Sequence, residues 1–267
     1  MIAGARRHAT ITIGGIATAI RTSDEAFLRM VDQRYAGFAD PDEAFDYEID
    51  VELTPPSGRS ADDDVRVFRN GAQWQIERGD LSAEWDPVAR RGRIRQSANP
   101  YALDTVLRIL HTLALADEGG FLVHASSAVR NDRAFLFAGV SGAGKTTISR
   151  LAPTDANVLT DEISYVRKEG RGYVAYGTPF AGDLGRPGDN LKAPIAVVYL
   201  LAKGSENRIE SIDPAAAARA LLTNILFFAA DRGSIQAVFV AAMDFVESVP
   251  IRRLTFVPDG GVWDLVR

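Results

Sequence analysis

Apolar and polar positions along the chain change period near its middle. Residues 8–20, HATITIGGIATAI, alternate branched apolar with small residues and predict a strand or hairpin. Ser23, Asp24 and Glu25 open a predicted helix through Tyr35, with Phe27, Leu28, Val31 and Tyr35 on one face. FDYEIDVEL, 45–53, alternates cleanly and predicts a half-buried strand. Four short segments follow, VRVFRN, AQWQIERG, LSAEWD and GRIRQS, separated by turn residues; they predict an antiparallel meander in which Trp74 and Trp85 anchor the core. After Asn99-Pro100 the period becomes helical through YALDTVLRILHTLALAD, with His111 on or beside the apolar face.

Beyond that helix, short apolar segments (FLVHASSAV, AFLFAG, NVLTDEISYV, YVAYG, IAVVYLL) recur at a spacing suited to β–α units. Two helices are predicted at 214–231 and 235–248, and RRLTFVPDGGVWDLVR predicts a closing hairpin through Asp259-Gly260-Gly261. The expected organisation is α/β: a β-rich region over residues 1–100, then a nucleotide-binding core over residues 101–267.

Composition narrows this picture rather than redirecting it. The 267 residues are 46% hydrophobic and 24% charged, as in ordinary globular proteins. A formal net charge of −5 argues against nucleic acid or an anionic membrane as main partner. With no cysteine there is no disulfide, thiolate metal site or cysteine nucleophile. MIAGARRHATITIGG lacks an apolar stretch after its arginines, and AAAARALLTNILFFAA is too short and too interrupted to span a bilayer, so a cytoplasmic location is expected. The acidic run Asp62-Asp63-Asp64, in a Pro/Gly/Ser-rich stretch, reads as a solvated loop, because three adjacent carboxylates in coil cannot all face one ion.

The chemistry concentrates at GVSGAGKTT, 139–147, which fits G-x-x-x-x-G-K-[ST] directly after the apolar run AFLFA and before a segment able to continue as helix. Glycines let successive backbone N–H groups turn around an anion. Gly139, Ser141, Gly142, Ala143, Gly144, Lys145, Thr146 and Thr147 are therefore the expected nucleotide-binding positions. Lys145 would reach the β- and γ-phosphates of ATP, and the Thr146 hydroxyl would complete the shell of a Mg²⁺ ion. A phosphate loop names a ligand, not a reaction. The carboxylates Asp161 and Glu162, at the end of a predicted strand, are the next candidates; as in many ATPases, the Asp could hold Mg²⁺ and the Glu polarise water, which leaves hydrolysis and transfer both open.

The short interval between loop and acidic pair, with His124 upstream in FLVHASSAVRNDRAFLFAG, resembles the kinase domain of the HPr kinase/phosphorylase family, related in fold to the phosphoenolpyruvate carboxykinases. GTPFAGD, 177–183, is similar to a segment of HPr kinase-like proteins associated with peptide modification clusters. The resemblance spans residues 119 to about 185. It implies a P-loop kinase core, Asp161 as general base for an acceptor hydroxyl, and His124 holding or polarising it. Asp183 becomes a further Mg²⁺ ligand beside Thr146 and Asp161, and Arg186 a clamp on the transferring charge.

This chain has Glu162 where the family usually has Asp, has Thr146 in place of Ser, and lacks the C-terminal signature that serves HPr. The implied activity is thus that of a divergent member: ATP-dependent phosphorylation of a hydroxyl, a serine of an unidentified protein or peptide, and not of HPr itself. A small-molecule kinase on the same core and a nucleotide-binding regulatory module with weak ATPase activity are the alternatives, and an oligomer stays open. The glycine- and proline-rich GTPFAGDLGRPGDN, 177–190, is expected to act as a flexible lid, with Phe180 plugging the pocket.

Overall fold

Alternation becomes strands throughout the first third of the chain, and the computed structural model describes residues 8–40, 44–56 and 64–267. Two compact units divide it: Met1–Ala114 with Phe228–Ser234, and Leu115–Phe227 with Ile235–Arg267. In the first, β1 (His8–Ile13) and β2 (Ile16–Arg21) form a hairpin through Gly14 and Gly15. The helix α1 (Glu25–Arg34) is capped by Asp24, whose carboxylate accepts the Phe27 N–H at 2.8 Å. β3 (Tyr47–Leu53) lies parallel to both β2 and β7 (Arg91–Gln96). Alternation fixed its faces, but nothing in the pattern distinguished a central parallel strand from a meander member.

The predicted meander is present as β4 (Arg66–Asn70), β5 (Gln73–Arg78), β6 (Leu81–Asp86) and β7, giving the sheet order β1-β2-β3-β7-β6-β5-β4. Trp74 and Trp85 face each other across β5 and β6, 4% and 3% exposed. On α2 (Pro100–Asp117), the buried Asp104 accepts from Arg34 and from the Tyr35 hydroxyl and so fastens the end of α1. His111 is buried on the same helix. Asp62 and Asp63 of the acidic run lie outside the described residues.

In the second unit the apolar segments become β8 (Phe121–Val123), β9 (Ala125–Arg130), β10 (Arg133–Ala138), β11 (Ala156–Thr160), β12 (Ser164–Glu169), β13 (Gly172–Tyr176) and β14 (Lys192–Lys203), with the short α3 (Lys145–Arg150) between β10 and β11. The strand order is β11-β9-β10-β14-β13-β12-β8-β16, where β16 is Ile225–Leu226. β17 (Ile251–Phe256) pairs parallel with β14 and antiparallel with β15 (Arg208–Ser211), and β10 is parallel to β14. The fold is mixed α/β with mixed sheets. Its strands carry two apolar layers: Phe121, Leu136, Val198 and Phe245 belong to one, Phe135, Phe137, Tyr199, Leu254, Phe256 and Trp263 to the other.

Two predicted elements differ. Helix α4 (Pro214–Asn224) stops short of residue 231, because the Asn224 carbonyl accepts the His124 N–H at 2.7 Å and Ile225–Leu226 continue as β16 against β8. Helix α5 (Arg232–Ser248) then follows and buries Val238, Ala241, Ala242 and Phe245, one helical face. The closing hairpin is absent. Both edges of β17 are already taken by β14 and β15, so the chain turns into a short 3₁₀ helix, Gly260–Asp264, capped by Asp259 and pinned by the Trp263 indole N–H donating to the Ile148 carbonyl.

Candidate functional site

All the site residues lie in the second unit. β10 is buried from Ala134 to Ala138 and delivers the chain to the loop 139–144, at whose end α3 begins. Gly144 caps that helix at φ 110°, a left-handed conformation, and a Cβ there would stand 2.6 Å from the Phe256 ring. Shape as well as dihedral therefore requires glycine. Lys145 is 8% exposed, and its Nζ donates back to the Gly139 and Val140 carbonyls at 2.8 and 3.4 Å. Burial lowers its pKa, while the negative charges of Glu162 and Asp183 act in the opposite direction. Below it, the buried Ser126 hydroxyl donates to the Lys145 carbonyl at 3.3 Å and braces the start of α3.

A cavity of about 570 Å³ opens beside this loop. Ser141, Gly142, Gly144, Lys145, Thr146, Thr147, Asp161, Glu162, Asp183 and His124, all anticipated from the sequence, line it. Gly139 and Ala143 sit behind the lining, their positions fixed against each other: a Cβ on Gly139 would come within 2.8 Å of the Ala143 Cβ. His124 occupies the one-residue break between β8 and β9, and Asp161 and Glu162 follow the last residue of β11. Strand ends thus supply the histidine and both carboxylates. The Thr146 hydroxyl stands 3.5 Å from Asp183 Oδ2.

Asp161 has a role that the sequence did not disclose. It is 4% exposed, and its two oxygens accept the backbone N–H groups of Gly182 and Leu184 at 2.9 and 2.8 Å. The same segment is tied from the other side by Arg150, which lines the cavity and donates to the Asp183 carbonyl at 3.1 Å. Arg150 was also missed, although it stands four residues after Thr146 on α3, the spacing that places two side chains on one helix face.

The expected plug is overturned. Phe180 is fully buried, with its ring stacked on Tyr165 at 6.3 Å, and it does not line the cavity. The Thr178 hydroxyl donates to the Ile163 carbonyl, and at Gly188 a Cβ would come within 1.7 Å of the Leu159 carbonyl oxygen. Gly177, Gly182 and Gly188 thus serve close packing, whereas Gly185 stands in open space at a positive φ. Arg186, the expected clamp, is exposed and absent from the lining.

Among the described residues no group of three or more His, Asp or Glu side chains could hold a metal ion by itself. Mg²⁺ asks for less: one or two carboxylates, a hydroxyl, waters and substrate phosphates are its usual shell. Thr146 with Asp183, and Asp161 behind them, fit that donor set. The arrangement combines the glycine loop, two cationic side chains (Lys145 and Arg150) and three carboxylates in one cavity. Among the described residues no helix is long and apolar enough to cross a membrane.

These features define a mixed α/β protein with a glycine-loop cavity lined by both cationic and carboxylate side chains. The sequence model of the family described as SynChlorMet cassette protein ScmC matches residues 101–267, more than half of the chain, and the chain belongs to that family. No curated protein matches it. Among solved structures, the Hpr(Ser) kinase/phosphatase from Coxiella burnetii is similar over 46% of this chain and 87% of its own, at 13% identity and a TM-score of 0.26. A score that low carries no argument about this chain's activity.

Proposed function

We propose that the protein is an ATP-dependent kinase that phosphorylates a hydroxyl group, a serine in a protein or peptide. One observation carries the reading: the G-x-x-x-x-G-K-T loop, the Thr146–Asp183 pair and the Asp161–Glu162 pair open onto the same cavity. Bound Mg²⁺-ATP would supply the transferable phosphoryl group and the charge neutralisation that phosphoryl transfer requires. Lys145 turns from its own loop carbonyls towards the phosphates, and Arg150 offers its remaining N–H donors to them. Thr146 and Asp183 hold the cation. Asp161, oriented by two backbone amides, keeps a lone pair on each oxygen with which to accept the proton of the acceptor hydroxyl. His124 flanks the same cavity and positions the acceptor.

The test is transfer of labelled phosphate from Mg²⁺-ATP to serine-containing products of neighbouring genes, the first acceptors suggested by a family described as a cassette protein. Lys145→Ala should abolish both nucleotide binding and transfer with the fold intact, since its ammonium contributes charge and not core packing. Undiminished activity of that variant would refute the reading. Transfer to small hydroxyl compounds alone would make the acceptor a metabolite. A second reading, a regulatory module with weak ATPase activity, is favoured by Glu162, which lines the cavity and could polarise water. Brisk hydrolysis without acceptor, stopped by Glu162→Gln, would select it.

A further inference from the structure

A second cleft in the same unit has no role in the chemistry above. It measures about 290 Å³ and is lined by Arg133, Arg252 and Arg267 around Tyr199, with Val197, Ile209 and Leu265 among its apolar walls. Its construction follows from strand periodicity. Phe135 and Phe137 on β10, Tyr199 and Leu201 on β14, and Leu254 and Phe256 on β17 form one apolar layer, and with period two Arg133 and Arg252 extend the β10 and β17 rows of that layer at their starts. Tyr199 and Arg252 are register partners on parallel strands. The cleft therefore runs along the edge of that layer, with Arg133 at the start of β10 and Tyr199 level with Phe137 near its end.

The electrostatics are one-sided. No acidic side chain among the described residues lines this cleft, in a chain whose formal net charge is −5. Arg133 and Arg252 make no ion pair among the described residues, whereas Arg267 Nε donates to the Asp264 carbonyl. Tyr199 is only 3% exposed, yet its hydroxyl has no hydrogen-bond partner among the described residues. Burial pushes its pKa up, against the effect of Arg252, so the phenol stays a donor. The hydroxyl itself is not sealed from solvent: it opens into the cleft, where it can donate to a ligand.

We propose that this cleft binds an acidic peptide segment, a carboxylate side chain meeting Tyr199, Arg252 and Arg133 while a neighbouring apolar side chain fills the Val197–Ile209–Leu265 wall. A free inorganic anion would use the guanidinium groups and leave that wall unused, which is why a peptide is the better occupant.

Fluorescence anisotropy of the full chain with a labelled peptide of alternating glutamate and leucine tests this. Binding should weaken with added salt, about tenfold in Arg252→Ala and again in Arg133→Ala, the scale of one charge-assisted hydrogen bond. Tyr199→Phe, which keeps the ring and its packing, should weaken it about threefold or more with an unchanged urea midpoint. The glutamine–leucine counterpart should bind at least about tenfold more weakly. Lys145→Ala should leave peptide binding intact, which separates this site from the nucleotide reading. Equal binding of the neutral peptide, displacement of the acidic peptide by Mg²⁺-ATP, displacement by inorganic phosphate at equal concentration, or unchanged affinity in all three cleft variants would overturn the proposal.

Discussion

Replacing Asp161 by Asn changes almost no volume, yet it should loosen the cavity wall measurably. In the wild type both carboxylate oxygens accept backbone N–H groups, from Gly182 at 2.9 Å and Leu184 at 2.8 Å, on a side chain that is 4% exposed. An Asn carboxamide can accept only one of them and must turn its NH₂ towards the other, donor against donor. Hydrogen bonds to a charged acceptor contribute about 1.5–3 kcal/mol each, and a neutral one about 1 kcal/mol. Losing one bond and weakening the other therefore costs about 2–5 kcal/mol. Hydrogen exchange reads this locally: protection of the Gly182 and Leu184 amides should fall by at least about tenfold, since about 1.4 kcal/mol is a factor of ten. Asp183, held between Asp161's partners, should lose its place beside Thr146, so Mg²⁺-dependent nucleotide binding should weaken as well. Unchanged protection at both amides would refute the anchoring argument, whatever happened to activity.

Phe180→Ala should destabilise the second unit by about 3–5 kcal/mol, the range for deleting a buried aromatic ring; urea denaturation checks it, and a loss under about 1 kcal/mol would restore the plug. Gly144→Ala forces a side chain into φ 110° against the Phe256 ring and should cost about 2–3 kcal/mol. Partial recovery in the Gly144→Ala/Phe256→Leu pair would show the steric share. Asp244 accepts from Lys168 and Tyr173, which together hold its carboxyl below the ordinary range. A depressed folded pKa stabilises above the unfolded value of about 3.9 and loses that contribution as pH falls through the folded one. Asp244→Asn should thus be less stable at neutral pH, by at most about 1 kcal/mol because the pair is partly exposed, with the gap closing below about pH 4; parallel pH profiles for the two proteins would count against it.

What could be read from the chain was local. The glycine loop and Lys145 are contiguous, and the strand before them is a continuous apolar run, so position along the sequence carried their geometry. His124 and the Asp161–Glu162 pair were legible because strand ends concentrate such groups. Alternation identified FDYEIDVEL as a strand, but parallel pairing depends on which distant strands flank it, and no period records that. RIES escaped notice as β15 because four polar-rich residues carry no pattern. The expected final hairpin failed on the same point: its turn chemistry was sound, but β14 and β15 had already satisfied both edges of β17. The bonds from Asp161 to residues 182 and 184 join two irregular segments, where neither period nor capping rule applies. Composition then misled in part, because glycine indicates mobility in isolation but at Gly177, Gly182 and Gly188 reflects tight backbone packing in this fold.

That last reversal changes how transfer and hydrolysis would be kept apart in the proposed kinase. A segment that closes over a site must come from the weakly held part of a structure, with few buried contacts and exposed hydrogen bonds. Much of 177–190 is the opposite, with Phe180 in the core, Thr178 bonded to Ile163, and Gly182 and Leu184 held by a buried carboxylate, while residues 185–187 are exposed. In the proposed kinase these contacts would present Asp183 to Thr146 at a fixed place, a positioning task that phosphoryl transfer rewards. The exposed groups on the cavity's lining are Ser141, Gly142, Arg150 and Asp183, so water reaches it unless something else covers it. In the transfer reading that cover is the acceptor. A polypeptide large enough to bury these groups excludes water as it brings its serine to Asp161, whereas a small hydroxyl compound leaves the cavity wet.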